Sequence, residues 1–136
     1  MVTARDVMTP PTGHLAETDS VVAAAGVMRD LDLSSIPVCD PGGRLTGILT
    51  DHDIVRCLGS GWDPATTTAK DAVDGAVLAV PADELVESAL LTMALHHVRR
   101  LPVVDDGSLV GMLADTDLAQ SVPEDALGKL FAHPGR

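Results

Sequence analysis

The side chains able to do chemistry in this 136-residue chain gather at two places that repeat each other. The first is Gly47-Ile48-Leu49-Thr50-Asp51-His52-Asp53; the second is Gly111-Met112-Leu113-Ala114-Asp115-Thr116-Asp117. In each, a short apolar run leads into two carboxylates spaced by one residue. That pattern reads as a buried strand ending at a helix start. Paired carboxylates suit general acid–base work or a divalent cation, but at a helix start two residues spaced by one point to different sides, so neither pair converges. A hydroxyl followed three residues later by a carboxylate suits other chemistry. Backbone N–H groups at a helix N-terminus, with the Thr50 hydroxyl, can meet a phosphate. Asp53, one turn on, has two oxygens for a vicinal diol. The same Thr-x-x-Asp spacing is also a helix capping arrangement with Thr50 as the N-cap, and the two uses are compatible. The second corner keeps Asp117 but has Ala114 where the hydroxyl would be. Losing one charge-assisted hydrogen bond removes about 1.5–3 kcal/mol. The Asp117 corner is therefore expected to bind more weakly, to stay empty, or to take a ligand without a phosphate there.

The remaining reactive side chains are scattered. His14, Cys39, His52, His96 and His97 show no zinc-ligand spacing. His14 and Cys39 fall on strands of one repeat, and a histidine from a second copy, such as His97, would be needed to complete a site. No resident metal is expected. No nucleophile–base pair or Gly-rich phosphate loop is present, and the chain does not read as an enzyme. His96-His97-Val98-Arg99-Arg100 is a basic cluster on an acidic chain. It ends a helix, where cations favour the dipole.

Bulk composition narrows the partners. Twenty acidic residues against nine basic ones give a net charge of -11. Nucleic acid and anionic lipid both call for a basic face, so neither is an expected partner. Hydrophobic residues make up 46% of the chain, yet Trp62 and Phe131 are its only aromatic side chains. The core must be aliphatic. No secretory signal and no apolar run long enough to span a bilayer occurs. Two cysteines, Cys39 and Cys57, lack CxxC spacing. Both points make a cytoplasmic location the expectation.

The elements that position the two corners follow from punctuation and periodicity. Ala4 to Thr9 reads as a helical turn stopped by Pro10-Pro11. Gly13 to Ala16 reads as a short strand. Thr18 or Asp19-Ser20 offers an N-cap for a helix with apolar Val21, Val22, Ala25, Val27 and Met28, running to about Leu31. Ser34 to Cys39 and Arg44 to Leu49 read as strands around the turn Asp40-Pro41-Gly42-Gly43. A helix from Asp51 to about Leu58 completes a β-α-β-β-α unit. The unit then restarts. Lys70-Asp71-Ala72-Val73 matches Arg5-Asp6-Val7-Met8; Val77 to Val80 is a strand; Asp83 can cap the next helix. Leu101-Pro102-Val103-Val104-Asp105 matches Ile36-Pro37-Val38-Cys39-Asp40. Asp106-Gly107 makes a hairpin turn one residue shorter than in the first copy. Pro37 to Pro102 is a shift of 65 and Gly47 to Gly111 one of 64, as the shorter turn requires. The expected organisation is α+β: repeat 1 over 1–58, a linker over 59–69, repeat 2 over 70–122, and a tail over 123–136 with a short helix at Glu124 to Phe131. Helix faces bearing Val21, Val22, Ile54, Val55, Val86, Leu90 and Leu118 are expected to pair in a homodimer.

Two such units, each with an (Ile/Leu)-Pro-Val-x-Asp strand and a Gly-x-Leu-(Thr/Ala)-Asp-x-Asp corner, resemble the CBS domain pair, or Bateman module, over roughly residues 4 to 121. The segments Ala-Arg-Asp-Val-Met-Thr and Thr-Asp-His-Asp-Ile-Val are also similar to stand-alone actinobacterial CBS-pair proteins of the hypoxic-response type. The resemblance implies a pseudo-twofold module whose clefts bind adenine nucleotides such as AMP, ADP, ATP or S-adenosylmethionine, with a sensing role and no catalysis. It places Thr50 and Asp53 at the phosphate and ribose. It places the base near Val73, Val77 and Leu78 of the second repeat, with Ile36 and Pro37 beside them. For the Asp117 cleft the equivalents are Met8, Thr12 and Gly13. It makes His96 and His97 candidates for a polyphosphate clamp, against the dipole reading that fits the same residues. No cofactor is required; the partners implied are a second copy of the chain and a protein acting in trans. The alternative is a structural or zinc-dependent interaction protein with empty clefts.

Overall fold

The computed structural model describes residues 1–11 and 13–119. Their element order is α1 (Ala4–Val7), β1 (Leu15–Ala16), α2 (Val21–Leu31), β2 (Ser35–Cys39), β3 (Leu45–Thr50), α3 (Asp51–Gly59), α4 (Ala69–Ala72), β4 (Val80–Pro81), α5 (Val86–His96), β5 (Arg100–Asp105), β6 (Ser108–Ala114) and α6 (Asp115–Ala119). The α+β class and the repeated unit are borne out. The expected tail helix at 124–131 lies outside the described residues.

The chain forms two compact units, and they do not follow chain order. One holds residues 12–78; the other combines residues 1–11 with those from Ala79 on. The opening segment therefore packs with the second repeat. Ala4 N–H donates to the Glu84 carbonyl at 2.8 Å, and the Thr9 and Met112 backbones exchange bonds of 3.0 and 2.8 Å. Arg5 reaches Asp105 at 3.1 Å and Asp83 at 3.6 Å. In the 12–78 unit, α4 fills the same place. Ala69 N–H donates to the Asp19 carbonyl at 2.7 Å, and Val21 N–H to the Thr67 carbonyl at 2.9 Å.

Each unit has a three-stranded sheet, β1-β2-β3 or β4-β5-β6. In each, the first strand runs parallel to the second and the second antiparallel to the third. The repeat extends to irregularities. A register shift falls between Val38 and Cys39 in one sheet and between Val103 and Val104 in the other. Asp32 and His97, 65 residues apart, close α2 and α5 in the left-handed region at φ 55 and 56. Beyond each, Leu33 N–H returns to Met28 and Val98 N–H to Met93, a Schellman-type ending. The core of the 12–78 unit is aliphatic, as expected: Leu15, Val21, Met28, Ile36, Val38 and Leu49 are all buried. Trp62 lies 48% exposed.

Three readings need correction. The second-repeat strand is Val80–Pro81, not Val77 to Val80, because parallel pairing with β5 starts only at Val80↔Val103. Asp83 does not cap α5: its N-cap is Leu85, which makes no side-chain bond, and the freed Val86 N–H donates to the Val2 carbonyl at 3.1 Å. The helix stripes are also narrower than the sequence pattern. Val21, Val86, Leu90 and Leu118 are buried, whereas Val22, Val55, Leu58, Leu91 and Leu95 remain exposed.

Candidate functional site

Thr50 ends β3 and caps α3. Its extended backbone, φ -113 and ψ 163, turns the hydroxyl back over the first turn. Oγ1 accepts from Asp53 N–H at 3.1 Å, while Thr50 N–H donates to Asp53 Oδ2 at 2.9 Å. The capping box inferred from the spacing is thus formed in both directions. Asp53 is 5% exposed and stands alone as a buried charged residue among those described. Arg56, one turn further along α3, explains how a carboxylate survives there. Its Nη1 donates to Asp53 Oδ1 at 3.4 Å and to Asp74 Oδ2 at 2.9 Å, and Nη2 donates to the Ala72 carbonyl at 2.9 Å. A carboxylate offers about four acceptor positions. One on each oxygen of Asp53 is used inside the unit, Oδ2 by Thr50 N–H and Oδ1 by Arg56 Nη1.

The apolar side of the corner is built by a glycine. A Cβ at Gly47 would lie 3.0 Å from Val73 Cγ1 and 3.2 Å from Cγ2, so the bare strand lets Val73 seat on it. Ile36, Pro37, Thr50, Asp53, Val73, Val77 and Leu78 all fall in the 12–78 unit. Ile36 and Pro37 are buried, Thr50, Val73 and Leu78 half-buried, and Val77 is exposed. The segment after α4, although it belongs to the second sequence repeat, thus stands in the same unit as the first corner. Asp74 and the hub role of Arg56 escaped the sequence reading. The spacing of three between Asp53 and Arg56 on a helix was the available signal for that pair; nothing local pointed to Asp74.

The second corner belongs to the other unit. Met8, half-buried, occupies the position of Val73: a Cβ at Gly111 would run into its side chain, with Cγ at 2.8 Å. Gly13 belongs to the 12–78 unit rather than to this one. Thr12 and the Asp117 side chain lie outside the described residues. His96 and His97 are exposed at the end of α5. His97 also lines a pocket of about 310 Å³ with Leu90, Met93, Ala94, Val98, Arg99 and Asp115.

For metal ligation, β1 and β2 run in register with Ala16 opposite Cys39. His14 stands one residue before β1, and Cys39 ends β2 at the register shift. His14 is exposed and Cys39 2% exposed. Burial, with Asp40 adding to it, pushes the Cys39 thiol up. Among the described residues no cluster of three or more metal-ligating side chains forms, and none of their helices is long and apolar enough to cross a membrane.

The family model of the CBS domain matches residues 4–60 and again 65–124. The chain belongs to the CBS domain family. This CBS pair is 38% identical over 128 residues to hypoxic response protein 1 of Mycobacterium tuberculosis, covering 93% of this chain and 90% of that one. A solved structure of Hypoxic Response Protein I with two coordinated zinc ions matches with a TM-score of 0.83 at 37% identity, over 90% of this chain and all of that one. The cytosolic domain of the Mg2+ channel MgtE, solved with ATP, matches at TM-score 0.75 and 28% identity, over 89% of this chain and 49% of that one. CBSX2, solved with AMP, shares the fold at TM-score 0.76 and 24% identity, over 89% of this chain and 96% of that one.

Proposed function

We propose that this CBS pair is a regulatory module that binds an adenine nucleotide at the Thr50 and Asp53 corner and passes its occupancy to a partner protein in trans, without catalysing a reaction. One observation carries the reading. A hydroxyl and a buried carboxylate sit at the head of α3, each accepting from the other residue's backbone N–H, at 3.1 Å and 2.9 Å, in the same unit as the apolar Val73 segment. A phosphate would meet the helix N-terminus, the ribose diol would meet Asp53, and the base would lie against Val73, Val77 and Leu78. The nucleotide complexes of MgtE and CBSX2 support the ligand class. His96 and His97 would serve longer phosphate chains. The Asp117 cleft, with Met8, Thr12 and Gly13, is the weaker site. The homodimer would use the exposed stripes Val55 and Leu58 on α3 and Leu91 and Leu95 on α5. The cytoplasm is the compartment where such nucleotides are abundant.

A second reading is favoured by the zinc ions of the relative at 37% identity. His14 and Cys39 stand at the ends of neighbouring strands β1 and β2, but two ligands fall short of the three or four that zinc uses, so His97 from a second copy would have to join them. The test is a melting panel with AMP, ADP, ATP, S-adenosylmethionine and Zn2+. At a hundred times Kd a true ligand raises stability by about 2.7 kcal/mol. A shift with a nucleotide supports the first reading. A shift with Zn2+ alone, lost in Cys39→Ser, supports the second and contradicts the first.

A further inference from the structure

The three acceptors of Arg56 are on two different segments. Asp53 stands on α3, whereas Ala72 and Asp74 flank Val73 at the end of α4. The two bonds to the α4 end are short, both 2.9 Å, and the bond to Asp53 is long, at 3.4 Å. Arg56 thus ties the backbone at Ala72 and the side chain at Asp74, and Val73 between them is seated against Gly47. Only 6% of the Asp53 side chain reaches solvent, against 35% of its partner Arg56. The long bond is the one a diol can displace most easily, while the short bonds keep the guanidinium in place.

We propose that Arg56 is the positioning residue of this site: it holds the ribose acceptor Asp53 and the apolar segment around Val73 in one alignment, and it registers the ligand when a hydroxyl takes over Asp53 Oδ1. The inference rests on the nucleotide reading above and deepens it. A planar fork with five N–H donors spreads over acceptors on two segments in fixed directions; the three donors of an ammonium radiate from one atom and lack that fork. The second repeat has no such hub in its sequence, because Gln120 and Thr9 stand at the positions matching Arg56 and Asp74.

The experiment titrates AMP calorimetrically into the full chain and into Arg56→Ala, Arg56→Lys and Asp74→Asn, with hydrogen exchange of residues 73–79 followed with and without AMP. The unaltered chain should bind AMP, and AMP should slow exchange in that segment. Arg56→Ala should lose about tenfold in affinity, the scale of one hydrogen bond to a charged group, and should lose the slowing. Arg56→Lys should behave like Arg56→Ala. Asp74→Asn, which keeps an acceptor and drops the charge, should lose about threefold. If Arg56→Ala does not fold, the other two variants carry the same expectations. Variants that melt earlier but bind AMP unchanged, or full affinity in Arg56→Lys, would overturn this role and leave the nucleotide reading intact. No AMP binding by the unaltered chain would overturn both.

Discussion

The corner at Thr50 and the corner at Ala114 are made by the same architecture and differ in chemistry. Both stand at the end of the third strand of a sheet with one order and one register shift. Both have a glycine in that strand, Gly47 or Gly111, against which a residue just past a short helix is seated, Val73 or Met8. What differs is the hydroxyl, present in Thr50 and absent in Ala114, and the Arg56 hub, whose matching positions hold Gln120 and Thr9. Packing alone therefore maintains the fold of a repeat, and the fold asks nothing of the Thr50 hydroxyl beyond a cap. The polar groups found in the first corner and missing from the second are the ones on which the proposed site rests.

The largest effect that can break this comparison is on binding. Asp53→Ala should lower AMP affinity about 10- to 100-fold, as the loss of a charged hydrogen-bond partner does, whereas Asp117→Ala should change it less than about threefold. Calorimetric titration of both variants measures this, and equal losses would erase the asymmetry. A smaller effect concerns stability. Thr50→Ala turns the first corner into a copy of the second and should cost about 1 kcal/mol, the usual worth of an N-cap, in urea unfolding without ligand. Ala114→Thr should not destabilise.

The smallest effect distinguishes the opening helices of the two units. On α1 the Thr3 N–H and hydroxyl both donate to Asp6 Oδ2, a one-sided capping box. On α4, Thr68 accepts from Asp71 N–H. Hydrogen bonds from the Thr3 backbone and hydroxyl hold the Asp6 carboxyl below its usual range. A depressed folded value means that its support is present above the ordinary carboxylate range and is lost as pH falls through that lower value. Melting temperature between about pH 5 and about pH 2 should therefore fall slightly less steeply in Asp6→Asn. An unchanged slope would show that the box carries no pH-linked stability.

Much of this was legible in the sequence because the repeat reports itself. Pro37 and Pro102, Gly47 and Gly111, and the two acidic corners align the two copies and locate β2, β3, β5 and β6 within each. Thr50 as the cap of α3 followed from one spacing. The exchange of opening segments was not legible. Ala4 meets Glu84 and Thr9 meets Met112 through backbone groups, which leave no mark on residue type. Asp83 looked like a cap because a backbone carbonyl, that of Val2, takes an N–H a side chain was expected to take. Asp74 was invisible for a related reason: its partner Arg56 lies 18 residues away on another element, and an exposed aspartate in a loop carries no signal of its own.

The claim at the centre of the account is that the Thr50 corner is the stronger AMP site and the Asp117 corner the weaker. The stoichiometry of AMP binding measures it directly, by calorimetry at concentrations above Kd. The account predicts one AMP per chain in the unaltered protein, and none at the same concentrations in Asp53→Ala when these are kept below about tenfold over the unaltered Kd. Two equivalent sites per chain, or one site that survives Asp53→Ala, would contradict it.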